Sequence, residues 1–277
     1  MHLRNIHRYG YDFQKLTLTH AELEKHLVKG PTGALTIDFS DATSILEFNT
    51  ALLKHHYKVK YWRLPEGSLY PPIPGRADYI HHISDLIGKG IKTGLDIGCG
   101  ASAIYPILGN NIYDWKMVGC DVDNESVAFA KKNTLKNDAI EIRHQVNKGN
   151  ILKGVILEGE NYDFTICNPP FYASEEEAVK ANMDKQRKLG TYEERRNFAG
   201  HAGELWCNGG EALFIKRMIK ESVAYKSQVG WFTCLLSRKQ NLKKPVKQLE
   251  KLKAEIKVIE MSTGHKESRF VAWRFKS

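Results

Sequence analysis

From about residue 91 onward, short apolar runs of strand length alternate with stretches of helical periodicity, and this alternation restricts the possible folds more than any other feature of the chain. Thr93–Ile97, Lys116–Val122, Ile140–Val146, Tyr162–Cys167 and Val229–Leu236 read as strands. A helix from Glu125 to about Lys136 and another over Gly210–Tyr225 separate some of them. A parallel neighbour is reached only through a long crossover, so repeated β-α-β units imply a mainly parallel sheet with helices on both faces. The last two runs, Ile256–Met261 and Arg269–Phe275, lack a helix-length connection and are expected to pair as an antiparallel hairpin. The expected class is therefore α/β, a seven-stranded, mainly parallel sheet closed by that C-terminal hairpin. Ligands of such a sheet bind at the carboxyl ends of its strands.

Residues 1–90 lack this alternation and read as a small, mostly helical extension, leaving 91–277 as the main domain. Helical periodicity covers Thr19–Leu27, then Asp41–His56 with Ile45, Phe48, Leu52 and Leu53 in an apolar stripe. The Pro-rich segment Pro65–Pro74 is expected to break regular structure. Ala77–Ile87 follows as a helix with Tyr79, Ile80, Ile83, Leu86 and Ile87 inward. The five cysteines (99, 120, 167, 207 and 234) form no C-x-x-C pair, so neither a disulfide framework nor a metal site is expected. Cys120, Cys167 and Cys234 lie in apolar strands and read as buried small hydrophobes. No apolar run approaches the roughly 20 residues of a membrane span. The N-terminus has no signal-peptide core, so a cytoplasmic protein without membrane association is expected.

Two segments describe one half of a ligand site. In Leu95-Asp96-Ile97-Gly98-Cys99-Gly100-Ala101 a strand runs into glycines that let the backbone turn tightly and approach a ligand. A helix starting near Ala101 would aim its free amides at the same place. In Val118-Gly119-Cys120-Asp121-Val122-Asp123, Asp121 ends a strand where a carboxylate can accept both ribose hydroxyls of an adenosine moiety, while Asp123 suits a helix cap. These signals do not choose among cofactors, because Gly98, Gly100 and Ala103 also satisfy the G-x-G-x-x-A spacing of nicotinamide-dependent oxidoreductases.

The segment Asp163-Phe164-Thr165-Ile166-Cys167-Asn168-Pro169-Pro170-Phe171 makes the choice. Asn168 offers an amide oxygen to one N–H of an amino group. Pro169 holds its neighbour extended and keeps a backbone carbonyl free for the other N–H, with Pro170 behind it. Phe171 supplies a flat face for a planar base, a contact worth about 1–3 kcal/mol in single-strand binders. Such a pocket suits a planar nitrogen as nucleophile, oriented toward an electrophilic methyl group. No His or Glu is expected as an essential base, because the alkylated nitrogen is far more acidic than the amine. An ordinary turn would explain the prolines but not their coincidence with the upstream glycines and Asp121.

Taken together, Pro74-Gly75-Arg76-Ala77-Asp78-Tyr79-Ile80-His81, Asp96 to Pro106, Asn168 to Phe171, Gly203-Glu204-Leu205-Trp206-Cys207, Gly209-Gly210-Glu211 and Ser268-Arg269-Phe270 span nearly the whole chain. In these segments the sequence resembles the bacterial 23S ribosomal RNA adenine-N6 methyltransferase F family, which is related to the animal methyltransferase-like protein 16. The resemblance implies a Rossmann-like class I methyltransferase that uses S-adenosyl-L-methionine and methylates N6 of a specific adenine in 23S ribosomal RNA. It implies that Asp96, Gly98 and Gly100 lie at the cofactor, that Asp121 takes the ribose and that Arg76 pairs with the carboxylate. Asn168, Pro169, Pro170 and Phe171 would hold the adenine, and Arg269 could approach RNA or the mouth of the site.

Lys and Arg total 41 against 32 Asp and Glu, a formal charge of +9, which favours a polyanionic partner without requiring one. Arg4 and Arg8, with Tyr9, Tyr11 and Phe13 nearby, form one candidate RNA contact; Lys185, Arg187 and Lys188 in the aperiodic stretch 172–205 form another. The basic run 238–257 reads as the wet face of a helix packed by Leu249 and Leu252. The expected partner is 23S ribosomal RNA or a large-subunit assembly intermediate, met by a monomer. Deleting residues 1–40 is expected to abolish RNA binding and spare cofactor binding. A rival reading is methylation of a protein glutamine amide, whose planar nitrogen fits the same acceptors. A nicotinamide oxidoreductase leaves Asn-Pro-Pro-Phe without a role.

Overall fold

A computed structural model describes residues 1–66, 68, 70–170, 172, 174, 176, 177, 180, 209–237, 239–263 and 266–276. The extension opens with a short 3₁₀ turn, Ile6–Tyr9, followed by α1 (Phe13–Thr19), capped by the Asp12 carboxylate on the Lys15 amide. Here the structure departs from the sequence reading. The expected helix Thr19–Leu27 is interrupted by the extended backbone of His20, and 3₁₀ turns over Ala21–His26 replace it. The chain then enters β1 (Leu27–Lys29), which pairs antiparallel with β2 (Leu35–Ile37). Gly33, in the left-handed region at φ +80°, closes this hairpin by donating its amide to the Gly30 carbonyl at 2.9 Å.

Helix α2 (Ala42–Tyr57) begins where the Asp41 carboxylate accepts from the Ser44 amide at 2.7 Å. Its buried stripe includes Phe48, Leu52 and Leu53, as the periodicity indicates. Helix α3 (Ile73–Ile87) begins one turn earlier than expected and takes the end of the Pro-rich segment into its first turn. Proline fits there, because a first-turn N–H has no intrahelical acceptor to lose. Arg76 is therefore a helical residue, close to the start of α3.

The sheet comprises β3 (Thr93–Ile97), β4 (Lys116–Asp121), β5 (Ile140–His144), β6 (Tyr162–Cys167), β7 (Val229–Leu236), β8 (Glu255–Thr263) and β9 (Lys266–Arg274) in the order β5-β4-β3-β6-β7-β9-β8. The first five run parallel, whereas β9 pairs antiparallel with both β7 and β8, as expected of the closing hairpin. Between the strands lie α4 (Ile104–Tyr113), α5 (Asn124–Thr134), α6 (Gly210–Ser222) and α7 (Lys243–Lys251).

Two apolar layers sandwich the sheet. One contains Leu16, Leu23, Ile37, Leu52, Tyr79, Ile104, Phe164 and Phe270, so the extension and α3 share a core with the sheet. The other packs Ile215 and Met218 of α6 and Leu249 of α7 against Leu95, Cys234 and Trp273. Cys120, Cys167 and Cys234 are buried, as is Cys99. The basic run over α7 is a solvated helix face anchored by buried Pro245 and Leu249, while Leu252 is 38% exposed. Among the described residues, no helix is long and apolar enough to cross a membrane.

Candidate active site

At the end of β3 the chain turns through Gly98 (φ +73°) and Gly100 (φ +59°), both in the left-handed region where a side chain is strained. The Gly98 and Cys99 amides each donate to the Cys120 carbonyl at 2.9 Å, fixing the loop to the end of β4. Helix α4 starts at Ile104 rather than near Ala101, because Ala103 is itself left-handed at φ +46°. The wider loop leaves room beside Gly98, where an added Cβ would meet nothing within 4 Å.

Asp121, the last residue of β4, is 8% exposed and accepts the Gly100 amide at 2.9 Å on one oxygen and the Asp123 amide at 3.0 Å on the other. Sequence reasoning assigned both oxygens to a ligand; here they also clamp the glycine loop. Each still has a second lone pair to offer. Burial pushes the Asp121 carboxyl above the usual range, opposed by the amides it accepts. Asp123 caps α5 through the Ser126 amide at 2.7 Å, as its position suggests.

Asp96 is fully buried, and neither carboxylate oxygen has a hydrogen-bond partner among the described residues. Burial and then the neighbouring Asp121 push its carboxyl well above the ordinary value, with Arg76 pulling the other way. Arg76 is half-buried and donates from Nη1 to the Tyr105 hydroxyl at 2.7 Å, its guanidinium 5.4 Å from the centre of that ring. Its Nε is buried and unpartnered. The amide oxygen of Asn168, one residue beyond β6, is likewise buried without a partner among the described residues. Pro169 is buried and Pro170 half-buried beside it. Phe171, Lys185, Arg187, Lys188 and the segment 203–207 lie outside the described residues.

Buried polar atoms are almost always paired in folded proteins. The carboxylate of Asp96, Nε of Arg76 and Oδ1 of Asn168 are exceptions gathered where β3 and β6, adjacent in the sheet, end beside the first turns of α3. Two cavities of about 390 and 490 Å³ lie elsewhere, one along Asp163, Trp231 and Arg274 and the other in the extension along Tyr9, Tyr11, Lys15 and His56. The unpaired groups mark a ligand site more specifically than open volume does.

Sequence reasoning missed what holds this cluster in place. The Tyr79 hydroxyl meets Thr233 Oγ1 at 2.7 Å, and that hydroxyl donates to the Thr165 carbonyl at 2.7 Å, tying α3 to β7 and β6 below Asn168. Tyr79 sits in an apolar stripe, so nothing in the sequence distinguishes its hydroxyl from a plain aromatic. The N-terminal segment braces α3 as well. Asp78 accepts from the His2 amide at 2.6 Å and from Asn5 Nδ2 at 3.1 Å. Arg4, a candidate RNA contact, forms a 2.5 Å ion pair with Asp85 and donates to the His81 carbonyl at 3.1 Å. Arg8 is exposed and lies 5.3 Å over the Tyr9 ring. Deleting residues 1–40 would therefore remove Leu16, Leu23 and Ile37 from the core and unfasten the helix that bears Arg76. The clean separation of RNA from cofactor binding expected of that deletion does not follow.

Residues 1–277 match a family model described as RNA methyltransferase. The chain is 54% identical over 284 residues to the ribosomal RNA large subunit methyltransferase F of Christiangramia forsetii, covering 99% of this chain and 100% of that one. Its counterpart in Saccharophagus degradans is 43% identical over 304 residues, covering 100% and 95%. Among solved structures, the METTL16 catalytic domain in complex with the MAT2A 3′UTR hairpin 6 is 29% identical with a TM-score of 0.83, covering 100% of this chain and 98% of that one. The N-terminal domain of human METTL16 in complex with SAH is 27% identical with a TM-score of 0.81, covering 100% and 99%. With its seven-stranded order, its glycine loop and Asn168 at the end of the neighbouring strand, the chain belongs to the RNA methyltransferase family that includes the bacterial ribosomal RNA large subunit methyltransferases F.

Proposed function

We propose that this chain transfers a methyl group from S-adenosyl-L-methionine to N6 of a specific adenine in 23S ribosomal RNA, acting in the cytoplasm as a monomer. The observation that carries the reading is the buried, unpartnered Asn168 Oδ1 at the end of β6. It is an acceptor held ready for an N–H that none of the described residues supplies.

The residues present fit the cofactor. The Asp96 carboxyl and Nε of Arg76 have no partner among the described residues, and an acid and a guanidinium together complement the ammonium and carboxylate of an amino acid. Gly98 and Gly100 leave the backbone bare for close approach, and Asp121 keeps lone pairs for a ribose. Bound there, S-adenosyl-L-methionine supplies an electrophilic methyl on a sulfonium. Asn168 and the carbonyl before Pro170 hold the two N–H bonds of the adenine amine, which orients its lone pair and raises its electron density. Phe171 supports the ring by stacking. The proton leaves after methylation, when the nitrogen is most acidic, so no dedicated base is required.

Relatives named for large-subunit ribosomal RNA and a structural neighbour solved with an RNA hairpin support an RNA substrate over a protein glutamine. Arg8, Lys185, Arg187 and Lys188 are proposed to contact its phosphates; Arg4, committed to Asp85, serves the fold first. The test offers methyl-labelled cofactor together with protein-free ribosomal RNA, a large-subunit assembly intermediate, or a release-factor-like protein. Label in N6-methyladenosine from either RNA-containing substrate supports the proposal, and label in glutamine alone rejects it.

A further inference from the structure

Tyr105 is the second residue of α4, two positions past the left-handed Ala103 that ends the glycine loop. Its ring is buried and packs edge-on against Tyr79, with centroids 5.6 Å apart at 90°. Tyr79 is itself tied to Thr233 through its hydroxyl, so the Tyr105 ring rests on an anchored neighbour. The Tyr105 hydroxyl accepts from Nη1 of Arg76 at 2.7 Å. A long side chain that would otherwise sample many rotamers is thereby held in one place.

Burial and Asp121 raise the Asp96 carboxyl, and Arg76 is near enough to pull the other way. The Tyr105 hydroxyl lies in the field of both groups: burial pushes it up, Arg76 opposes the rise and Asp96 adds to it. A buried carboxyl beside a guanidinium gains from a direct two-pronged contact. Arg76 nevertheless donates to Tyr105, and both Asp96 oxygens stay unpaired among the described residues. Arg269, buried on the opposite face of the sheet with Val271 and Trp273, cannot serve the same acid. We propose that Tyr105 is a positioning residue whose hydroxyl holds the Arg76 guanidinium off the Asp96 carboxyl. The two groups then receive the carboxylate and ammonium of the cofactor instead of each other, and the cofactor need not break an internal ion pair on entry. This inference rests on the reading of Arg76 and Asp96 as the site of the cofactor's amino-acid end.

The test measures affinity for S-adenosyl-L-homocysteine and for 5′-methylthioadenosine, which lacks the amino-acid part, in the wild type, Tyr105→Phe, Arg76→Gln and the double variant. Phe keeps the ring against Tyr79 and removes only the hydroxyl. Tyr105→Phe is expected to weaken S-adenosyl-L-homocysteine roughly 5- to 30-fold and to leave 5′-methylthioadenosine at the wild-type value. Its ligand-free Tm should not fall, because Arg76 gains Asp96 as a partner. In the Arg76→Gln background the same change should cost no further affinity. Wild-type affinity for S-adenosyl-L-homocysteine in Tyr105→Phe would overturn the inference, as would an additive loss in the double variant. Equal loss of both ligands with a lower Tm would mark a structural role and overturn it too. If Arg76→Gln itself binds both ligands like the wild type, the assignment of Arg76 to the cofactor fails first, and the two failures are thereby told apart.

Discussion

Replacing Asp96 by Asn should make the ligand-free protein more stable and the enzyme inactive. Asp96 is fully buried with both oxygens unpaired, and its carboxyl is raised well above the ordinary range by burial and by Asp121. An acid whose folded pKa exceeds its unfolded value of about 3.9 binds its proton more tightly in the fold, so its contribution to stability falls as pH rises. The loss begins near the unfolded pKa, runs at up to about 1.4 kcal/mol per pH unit and stops at the folded pKa. Asn carries no such dependence. At neutral pH the substitution should stabilise the ligand-free chain by about 1–3 kcal/mol, because an unpaired buried charge costs more than the equally unpaired but neutral amide that replaces it. For a chain of 277 residues that is roughly 2–5 °C in Tm. Calorimetry between pH 5 and 7, with and without S-adenosyl-L-methionine, reads both halves of the expectation. The gap between variant and wild type should widen with pH, and the cofactor should raise the Tm of the wild type alone. A variant less stable than the wild type at pH 7, or one that the cofactor stabilises equally, would refute the reasoning.

Arg76→Gln should weaken cofactor affinity about 10- to 100-fold by titration calorimetry, the value of a charge-assisted bond, with little change in Tm because the side chain makes one hydrogen bond among the described residues. His7 is buried between the Tyr57 and Tyr11 hydroxyls, and burial, His56 and His81 hold its pKa down to about 3. The unfolded chain therefore binds the extra proton between about pH 6.5 and 3, and stability should fall with pH across that window. A His7→Gln variant, though less stable at pH 7, should show a shallower acid limb in denaturant titrations. The Glu160 carboxylate accepts from Arg143 at 2.6 and 2.8 Å, which lowers its pKa to about 2. Glu160→Gln should cost about 1–3 kcal/mol at pH 7 in urea unfolding, a difference lost as pH falls from about 4.5 toward 2.

The sheet was legible because its strands are buried on both faces and stand out as apolar runs: Thr93–Ile97, Tyr162–Cys167 and Val229–Leu236 carry the same bounds in sequence and structure. The extension was less so. Leu27–Lys29 continues a helical pattern, and only the pairing with Leu35–Ile37 makes it a strand. At the site, the motif residues Asp96, Gly98, Gly100, Asp121 and Asn168 could be found from spacing, since each sits at a strand end that the alternation defines. What positions them could not. The Tyr79–Thr233–Thr165 connection and the His2–Asp78 contact join residues 154, 68 and 76 positions apart, and no local pattern records such bonds.

The central claim is that Asn168 and a proline-flanked carbonyl bind both hydrogens of an adenine amine. Nucleoside mass spectrometry of 23S ribosomal RNA treated with the wild type and with Asn168→Ala tests it most directly. A pocket that needs two N–H donors should release N6-methyladenosine and add no second methyl, because the product has only one N–H left. The variant should make that product about 100-fold more slowly or worse, a loss of the size seen when one preorganised hydrogen bond is removed from an active site, with cofactor affinity intact. Dimethylated adenine, methyl on another atom, or full turnover by the variant would contradict the account.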